Sequence, residues 1–230
     1  MSLSHLKVKP DLFKSKLMSE KVADVLRENI VSGTLKAGER LKENQIANIL
    51  NISRPPIREA FRILAAEGLV ILIPRKGAFV SKLSIQEARE IYTIRSMIES
   101  FAARLAIPII KQKQISELEL TLKVMERKIE ETNPKEIRRV NIEFHKRIVE
   151  MSENQRLISF YKSILLPIRR YQKLALPTPP FWKISLDEHK KILEAIKCKN
   201  IELAEKLSRE HITRTISRII SELKMVIGEN

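Results

Sequence analysis

The chain has 230 residues, of which 43% are hydrophobic and 31% charged, proportions of a folded globular protein rather than a disordered one. Its 43 Lys and Arg against 28 Asp and Glu leave a net charge of +15, which favours a polyanionic partner, nucleic acid ahead of a membrane surface. The single cysteine, Cys198, rules out an intrachain disulfide framework, and no run approaches the ~18 apolar residues of a membrane helix. With no apolar signal core before the first helix, the chain is expected to be cytoplasmic and not membrane-bound. The charge does not locate a site, because residues 1–82 carry 15 Lys and Arg against 8 Asp and Glu and the rest carries a similar excess.

Residues 1–16 are basic, hold His5 and show no period, so they read as a flexible arm. Ser19 is placed to cap a helix running to Ser32, with Val22, Val25, Leu26 and Ile30 facing inward and Gly33 as its stop. Gly38 to Leu41 reads as a turn and a short extended piece. Glu43 to Leu50 makes a second short helix with Ile46, Ala47, Ile49 and Leu50 apolar, ended by Asn51, which tolerates the left-handed conformation.

The segment Ile52-Ser53-Arg54-Pro55-Pro56-Ile57-Arg58-Glu59-Ala60-Phe61-Arg62-Ile63-Leu64 organises this half. A residue before proline avoids the α region, which puts Pro55 just outside a helix and Pro56 at its first position. Ile57, Ala60, Phe61 and Leu64 then follow the i, i+3, i+4, i+7 spacing of one buried face. Arg58 and Arg62 fall on the other face, with Arg54 at the start. Such a helix is shaped for a DNA major groove, where arginine forks onto guanine O6 and N7 or clamps a phosphate. A solvated cationic face on an ordinary helix is the alternative.

Leu69 to Ile73 reads as a strand, Pro74-Arg75-Lys76-Gly77 as a turn and Ala78-Phe79-Val80 as the returning strand. A hairpin with two cations and a glycine at its tip can lie along the phosphates or the minor groove as a wing, or be a plain surface hairpin. The run Leu41-x-Glu43-x-x-Ile46-Ala47, Ile52-Ser53-Arg54-x-Pro56-Ile57-Arg58-Glu59-Ala60, Leu64-x-x-Glu67-Gly68-Leu69-Val70 and Gly77-x-x-Val80 resembles the winged helix-turn-helix of the GntR family of bacterial transcription regulators. The resemblance covers about residues 17–82. It implies DNA contacts from Ser53, Arg54 and Arg58 and from the wing around Arg75, Lys76 and Gly77. At Asn44 the family often has a DNA-contacting arginine, in whose place asparagine can still hydrogen-bond.

From residue 83 to 230 nothing alternates with period two, and the pattern predicts six helices in an antiparallel bundle. Ser84-Ile85-Gln86-Glu87 is a capping box opening the first, which stops at Pro108. Others span about Ser116–Glu131, Asn133–Ser152 and Asn154–Lys173, the last with a kink expected at Pro167. Pro177-Thr178-Pro179-Pro180 reads as a rigid loop, Ser185-Leu186-Asp187-Glu188 as a second capping box, and Asn200 as the cap of a final long helix to about Ile227.

Three histidines lie mid-helix in this bundle: His145, one turn after Asn141, and His189 and His211 on apolar stripes. Each can point inward from a different helix. Three converging imidazoles with an oxygen ligand suit Zn²⁺ or Ni²⁺, whereas three separate hydrogen-bonded core histidines would suit no ion. Ile91-Tyr92-x-x-Arg95-x-x-Ile98-Glu99 with Ala102-Ala103, Phe144-His145 with Asn154, His189-x-x-Ile192-x-x-Ala195-Ile196, and Ala204 with His211 resemble the FCD domain of the FadR subfamily of GntR regulators. That resemblance implies a divalent metal on Asn141, His145, His189 and His211, although the family more often has Asp where Asn141 stands. It also implies that Arg95 reaches a carboxylate effector. A plain pairing of Arg95 with Glu99 at i+4 is the other reading.

The fold class expected is mainly α: a winged helix-turn-helix over residues 17–82 and an all-α domain for effector binding and dimerisation over 83–230. The function expected is a metabolite-responsive regulator, by family default a repressor, that binds a palindromic double-stranded operator as a homodimer. Effector binding would change the spacing of the two recognition helices. A metal-dependent enzyme with an attached DNA-binding domain, or a bundle that only dimerises, are the alternatives.

Overall fold

The computed structural model describes residues 17–227 and divides after Lys82 into two compact units. The arm expected over residues 1–16, His5 included, lies outside the described residues.

The first unit contains α1 (Met18–Ser32), β1 (Arg40–Leu41), α2 (Glu43–Leu50), α3 (Arg54–Ala66), β2 (Val70–Ile73) and β3 (Gly77–Val80). Its strands pair antiparallel in the order β1-β3-β2, with Arg40 opposite Phe79 and Ile73 opposite Gly77. The short extended piece at Arg40 is therefore the third strand of the wing. Val22, Ala23 and Leu26 of α1 are buried, as are Ile57, Ala60, Phe61 and Leu64 of α3. Arg27 on α1 makes a two-point ion pair with Glu67, at 2.8 and 2.6 Å, tying α1 to the end of α3. Asn51 ends α2 at φ 51°, in the left-handed region expected of it, and Gly33 ends α1 at φ 79°.

Three local expectations are corrected here. Helix α1 begins at Met18, and Ser19 is buried inside it rather than capping it. The Glu20 carboxylate accepts the Leu17 N–H at 3.3 Å instead. Val25, assigned inward by period, is exposed. Helix α3 begins at Arg54, with Ser53 as N-cap and both prolines inside its first turn. The first amides of a helix have no intrahelical acceptor, so neither proline removes a hydrogen bond there.

The second unit is made only of helices among the described residues: α4 (Ile85–Ala106), α5 (Gln112–Glu130), α6 (Pro134–Met151), α7 (Gln155–Ala175), α8 (Pro179–Lys197) and α9 (Ile201–Ile227). Ser84, Asn133, Asn154 and Asn200 each accept a first-turn amide, at 3.0 to 3.2 Å. The main core runs through Tyr92, Leu118, Met125, Ile137, Phe144 and Ile192. Helix α7 continues through Pro167.

The loop expected at Pro177–Pro180 is shorter, and the capping box at Ser185 is not a cap. Helix α8 starts at Pro179, and Ser185 lies buried one and a half turns inside it. The added turn buries Trp182, whose indole N–H donates to Leu176 O at 3.0 Å, and that burial outweighs the local preference of Ser185 for a helix start.

Tyr171 of α7 fixes the beginning of α4. Its hydroxyl donates to Glu87 Oε2 at 2.5 Å and accepts the Ser84 N–H at 3.2 Å. Tyr171→Phe removes both bonds and leaves the ring in place. It should lower the unfolding free energy by about 1–3 kcal/mol, read as a shifted urea midpoint at unchanged slope.

Candidate functional site

Two groups of side chains carry chemistry, one in each unit. In the first, the packed back of α3 forces its cations outward. Ser53 is exposed, and its hydroxyl makes no cap bond. Arg54 is exposed, with Nη1 3.5 Å from Asn44 Oδ1. The Arg58 side chain is 58% exposed and donates through Nε to Glu43 Oε2 at 2.7 Å. Arg62 pairs with Glu59 at 2.9 Å.

The wing tip is a tight turn in which Ile73 O accepts the Lys76 N–H at 3.0 Å. Pro74 suits its first central position. Arg75 takes the second at φ 62°, where a type II turn needs a left-handed residue and glycine is usual. Gly77 follows at φ 102°, a conformation that L side chains rarely adopt. Arg75, Lys76 and Gly77 are all exposed. Glu43, Arg58, Phe61, Pro74 and Gly77 line one groove, so the recognition helix and the wing meet on a single face.

In the second unit the three histidines converge. His189 Nε2 lies 3.0 Å from His145 Nε2 and 3.2 Å from His211 Nε2, and all three rings are buried. Phe144 stacks on His189 with ring centroids 4.4 Å apart. His145 Nδ1 lies 2.9 Å from Glu99 Oε2, and His211 Nδ1 lies 2.6 Å from Glu188 Oε2. Glu99 Oε1 also accepts from Arg95 Nε at 2.7 Å and from the Tyr161 hydroxyl at 2.8 Å. Glu188 Oε1 accepts from Arg214 Nε at 2.6 Å.

These partners fix the protons. Burial alone would raise both carboxyl groups, but Arg95 and His145 hold Glu99 well below the usual range, and His211 and Arg214 hold Glu188 down. Burial pushes His145 down to about 4 against the pull of Glu99, pushes His189 well below the ordinary value and lowers His211. The imidazoles are therefore neutral, with one N–H each. His145 and His211 spend theirs on carboxylates through Nδ1, which leaves a bare lone pair on each Nε2. His189 Nε2 faces both lone pairs and can donate to only one, and its Nδ1 has no partner among the described residues.

A divalent cation would answer this donor set: with its proton on Nδ1, His189 also presents an Nε2 lone pair, and the ion would accept all three at once. Around an ion with metal–nitrogen bonds of about 2.1 Å, neighbouring nitrogens sit about 3.0 Å apart at right angles and about 3.4 Å apart in a tetrahedron. The observed 3.0 and 3.2 Å fall on that scale. Carboxylates behind His145 and His211 supply the orienting hydrogen bonds that metal-binding histidines use. His145, His189 and His211 could thus hold a metal ion.

Asn141 is buried one turn before His145. Its Oδ1 accepts the Ser185 hydroxyl at 3.1 Å, and its Nδ2 donates to Gln172 Oε1 at 3.4 Å. Arg95 is 1% exposed and pairs with Glu99, the i+4 reading, yet its Nη2 has no partner among the described residues. Sequence reasoning missed Tyr161, Gln172 and Arg214, and it took Glu188 and Ser185 for capping residues. The adjacency of Glu188 and His189 was a signal, but the bond runs to His211, 23 positions away.

Comparison with known proteins agrees with this division of labour. The family model for bacterial regulatory proteins of the gntR family matches residues 18–80, and the FCD domain model matches residues 90–214. The HTH-type transcriptional regulator YdhC of Bacillus subtilis is 33% identical over 205 residues, 89% of this chain and 90% of that protein. The gluconate operon transcriptional repressor of the same species is 31% identical over 188 residues, 78% of this chain and 76% of that protein. The fold is that of E. coli McbR/YncC, with a TM-score of 0.75 over 91% of this chain and 100% of that one, at 21% identity. The alternative of a metal-dependent enzyme with a DNA-binding appendage is not favoured by relatives that are all regulators. The chain belongs to the GntR family, carries an FCD domain behind its winged helix-turn-helix, and is a DNA-binding transcriptional regulator rather than an enzyme.

Proposed function

We propose that this protein is a repressor that binds a palindromic operator as a homodimer, residues 17–82 gripping DNA and residues 83–230 sensing a small organic acid. The observation that carries the sensing half is the convergence of three imidazole Nε2 atoms within a polar interior that also holds Arg95. Among the described residues the Arg95 Nη2 is a buried donor lacking an acceptor, and Tyr92 OH, Gln172 Nε2 and Ser208 Oγ are buried without partners too. Unanswered buried polar atoms are rare in native interiors, and a polar ligand would satisfy them. A Zn²⁺ or Ni²⁺ ion on His145, His189 and His211, with Asn141 beside them, would supply a Lewis-acidic anchor for an effector carboxylate. Arg95 would orient that carboxylate with its spare terminal nitrogen.

Repression is supported by the relative named as the gluconate operon repressor, and a sugar acid fits a site built for a carboxylate. A dimer is supported by Ile94, Met97 and Phe101, which recur along α4 and remain exposed, an apolar stripe that a second copy would cover. On the DNA side, Arg54 and Arg58 would meet bases or phosphates from the start of α3, Ser53 and Asn44 would help fix the register, and Arg75, Lys76 and Gly77 would follow the backbone from the wing. Effector binding lowers operator affinity only if the effector prefers the DNA-free state, so the coupling is reciprocal.

Three measurements test this reading. Arg58→Ala should weaken binding to a selected operator duplex by about 1–3 kcal/mol in fluorescence anisotropy, and unchanged affinity would take Arg58 off the contact list. Purified protein should hold metal in stoichiometric amount by elemental analysis, lost in His189→Ala and in His211→Ala, while Glu188→Gln weakens metal affinity about 10–100-fold. A panel of sugar acids and hydroxy acids titrated onto the protein–operator complex should contain one that releases the DNA. Arg95→Lys, which retains charge for Glu99 but cannot fork, should need far more of that acid. Equal sensitivity in the variant would sink the role given to Arg95.

A further inference from the structure

Arg58 is not free on its helix. Its Nε donates to Glu43 Oε2 at 2.7 Å, and Glu43 opens α2. The next residue, Asn44, lies 3.5 Å from Arg54 Nη1 through its Oδ1. One turn of α2 therefore meets both arginines at the start of the recognition helix. Among the described residues Glu43 is the sole hydrogen-bond partner of the Arg58 side chain, and both terminal nitrogens remain without one.

The chemistry of this contact bears on base reading. A guanidinium gripped at Nε has its plane fixed while its two Nη groups stay available, and the fork onto guanine O6 and N7 uses two such donors. An untethered arginine would lose its rotamer freedom on docking, whereas a tethered one has already lost it. The Glu43 carboxylate has a second effect. It lines the groove between α3 and the wing, where any duplex would bring phosphates, and it repels them. Attraction to DNA of any sequence falls, while the presentation of one donor fork improves.

We propose that Glu43 is a specificity-determining positioning residue: it presents Arg58 to a guanine in the major groove and lowers affinity for DNA of other sequence. The proposal rests on the reading that Arg58 enters that groove. Glu43 also favours the N-terminus of α2 as a first-turn acid, so loss of affinity alone would not distinguish the two roles.

The test uses the full chain as wild type, Glu43→Ala, Glu43→Gln and Arg58→Ala. Each selects from a random duplex library, and each is then titrated against the wild-type-selected duplex and a mixed-sequence duplex across a salt series. Wild type should select a fixed guanine in each half-site, and Arg58→Ala should lose it. Glu43→Ala should bind the mixed-sequence duplex more tightly yet lose about tenfold of the preference for that guanine, the scale of one base contact. Glu43→Gln keeps an acceptor for Nε without the charge, so it should recover the base preference and retain the tighter mixed-sequence binding. Parallel weakening on both duplexes in Glu43→Ala, or the same motif with the same discrimination, overturns the proposal. An unchanged motif in Arg58→Ala instead overturns the parent reading of Arg58, and this proposal with it.

Discussion

A carboxylate sealed inside a helical bundle needs its charge answered from within, and Glu99 is answered by three helices. Arg95 comes from its own helix α4, His145 from α6 and Tyr161 from α7. Through His145 the chain of contacts passes to His189 on α8 and His211 on α9, and returns to Glu188 on α8. One connected polar path thus crosses five of the six helices of the second unit. A buried ion pair adds little net stability over apolar packing, but losing one partner leaves the other charge stranded, at about 3–5 kcal/mol. The arrangement of the bundle and the arrangement of its polar interior are therefore one constraint.

That path is more than packing requires. Imidazole nitrogens face each other along it, and one terminal nitrogen of Arg95 has no partner among the described residues. The carboxylates stand behind His145 and His211 and aim their Nε2 atoms inward, so the protein spends its anions on orientation and presents neutral nitrogen to the centre. Asn141 goes the same way. It brings no negative charge to the centre, and its amide is engaged with Ser185 and Gln172.

The DNA-binding unit solves a different problem, which is how to hold long cationic side chains in place on a surface. The back of α3 is packed, the Arg27–Glu67 pair pins its far end, and the first turn of α2 meets Arg54 and Arg58 at its near end. At the wing tip Arg75 occupies a backbone conformation that glycine would adopt at less strain. The turn leaves the Arg75 side chain exposed at the tip.

Much of this was legible in order along the chain. Apolar period, caps at Ser84, Asn133, Asn154 and Asn200, and the turn chemistry of Pro74 to Gly77 specify element type because they depend on residues a few positions apart. The inward direction of His189 and His211 followed from the same periodicity. Local rules misplaced the starts of α3 and α8, where prolines fit a first turn without loss and where burial of Trp182 outweighed a capping serine. What the tertiary structure alone decided is which inward side chains meet. His145 and His189 are 44 positions apart, Glu99 and Tyr161 are 62 apart, and Arg58 and Glu43 are 15 apart across a turn. Sequence by itself determined the helices, the wing and the faces they bury. Helix packing decided the register of one buried face against another, and so the convergence of the histidines, their carboxylate supports and the tether on Arg58, because no local period encodes a contact between separate elements.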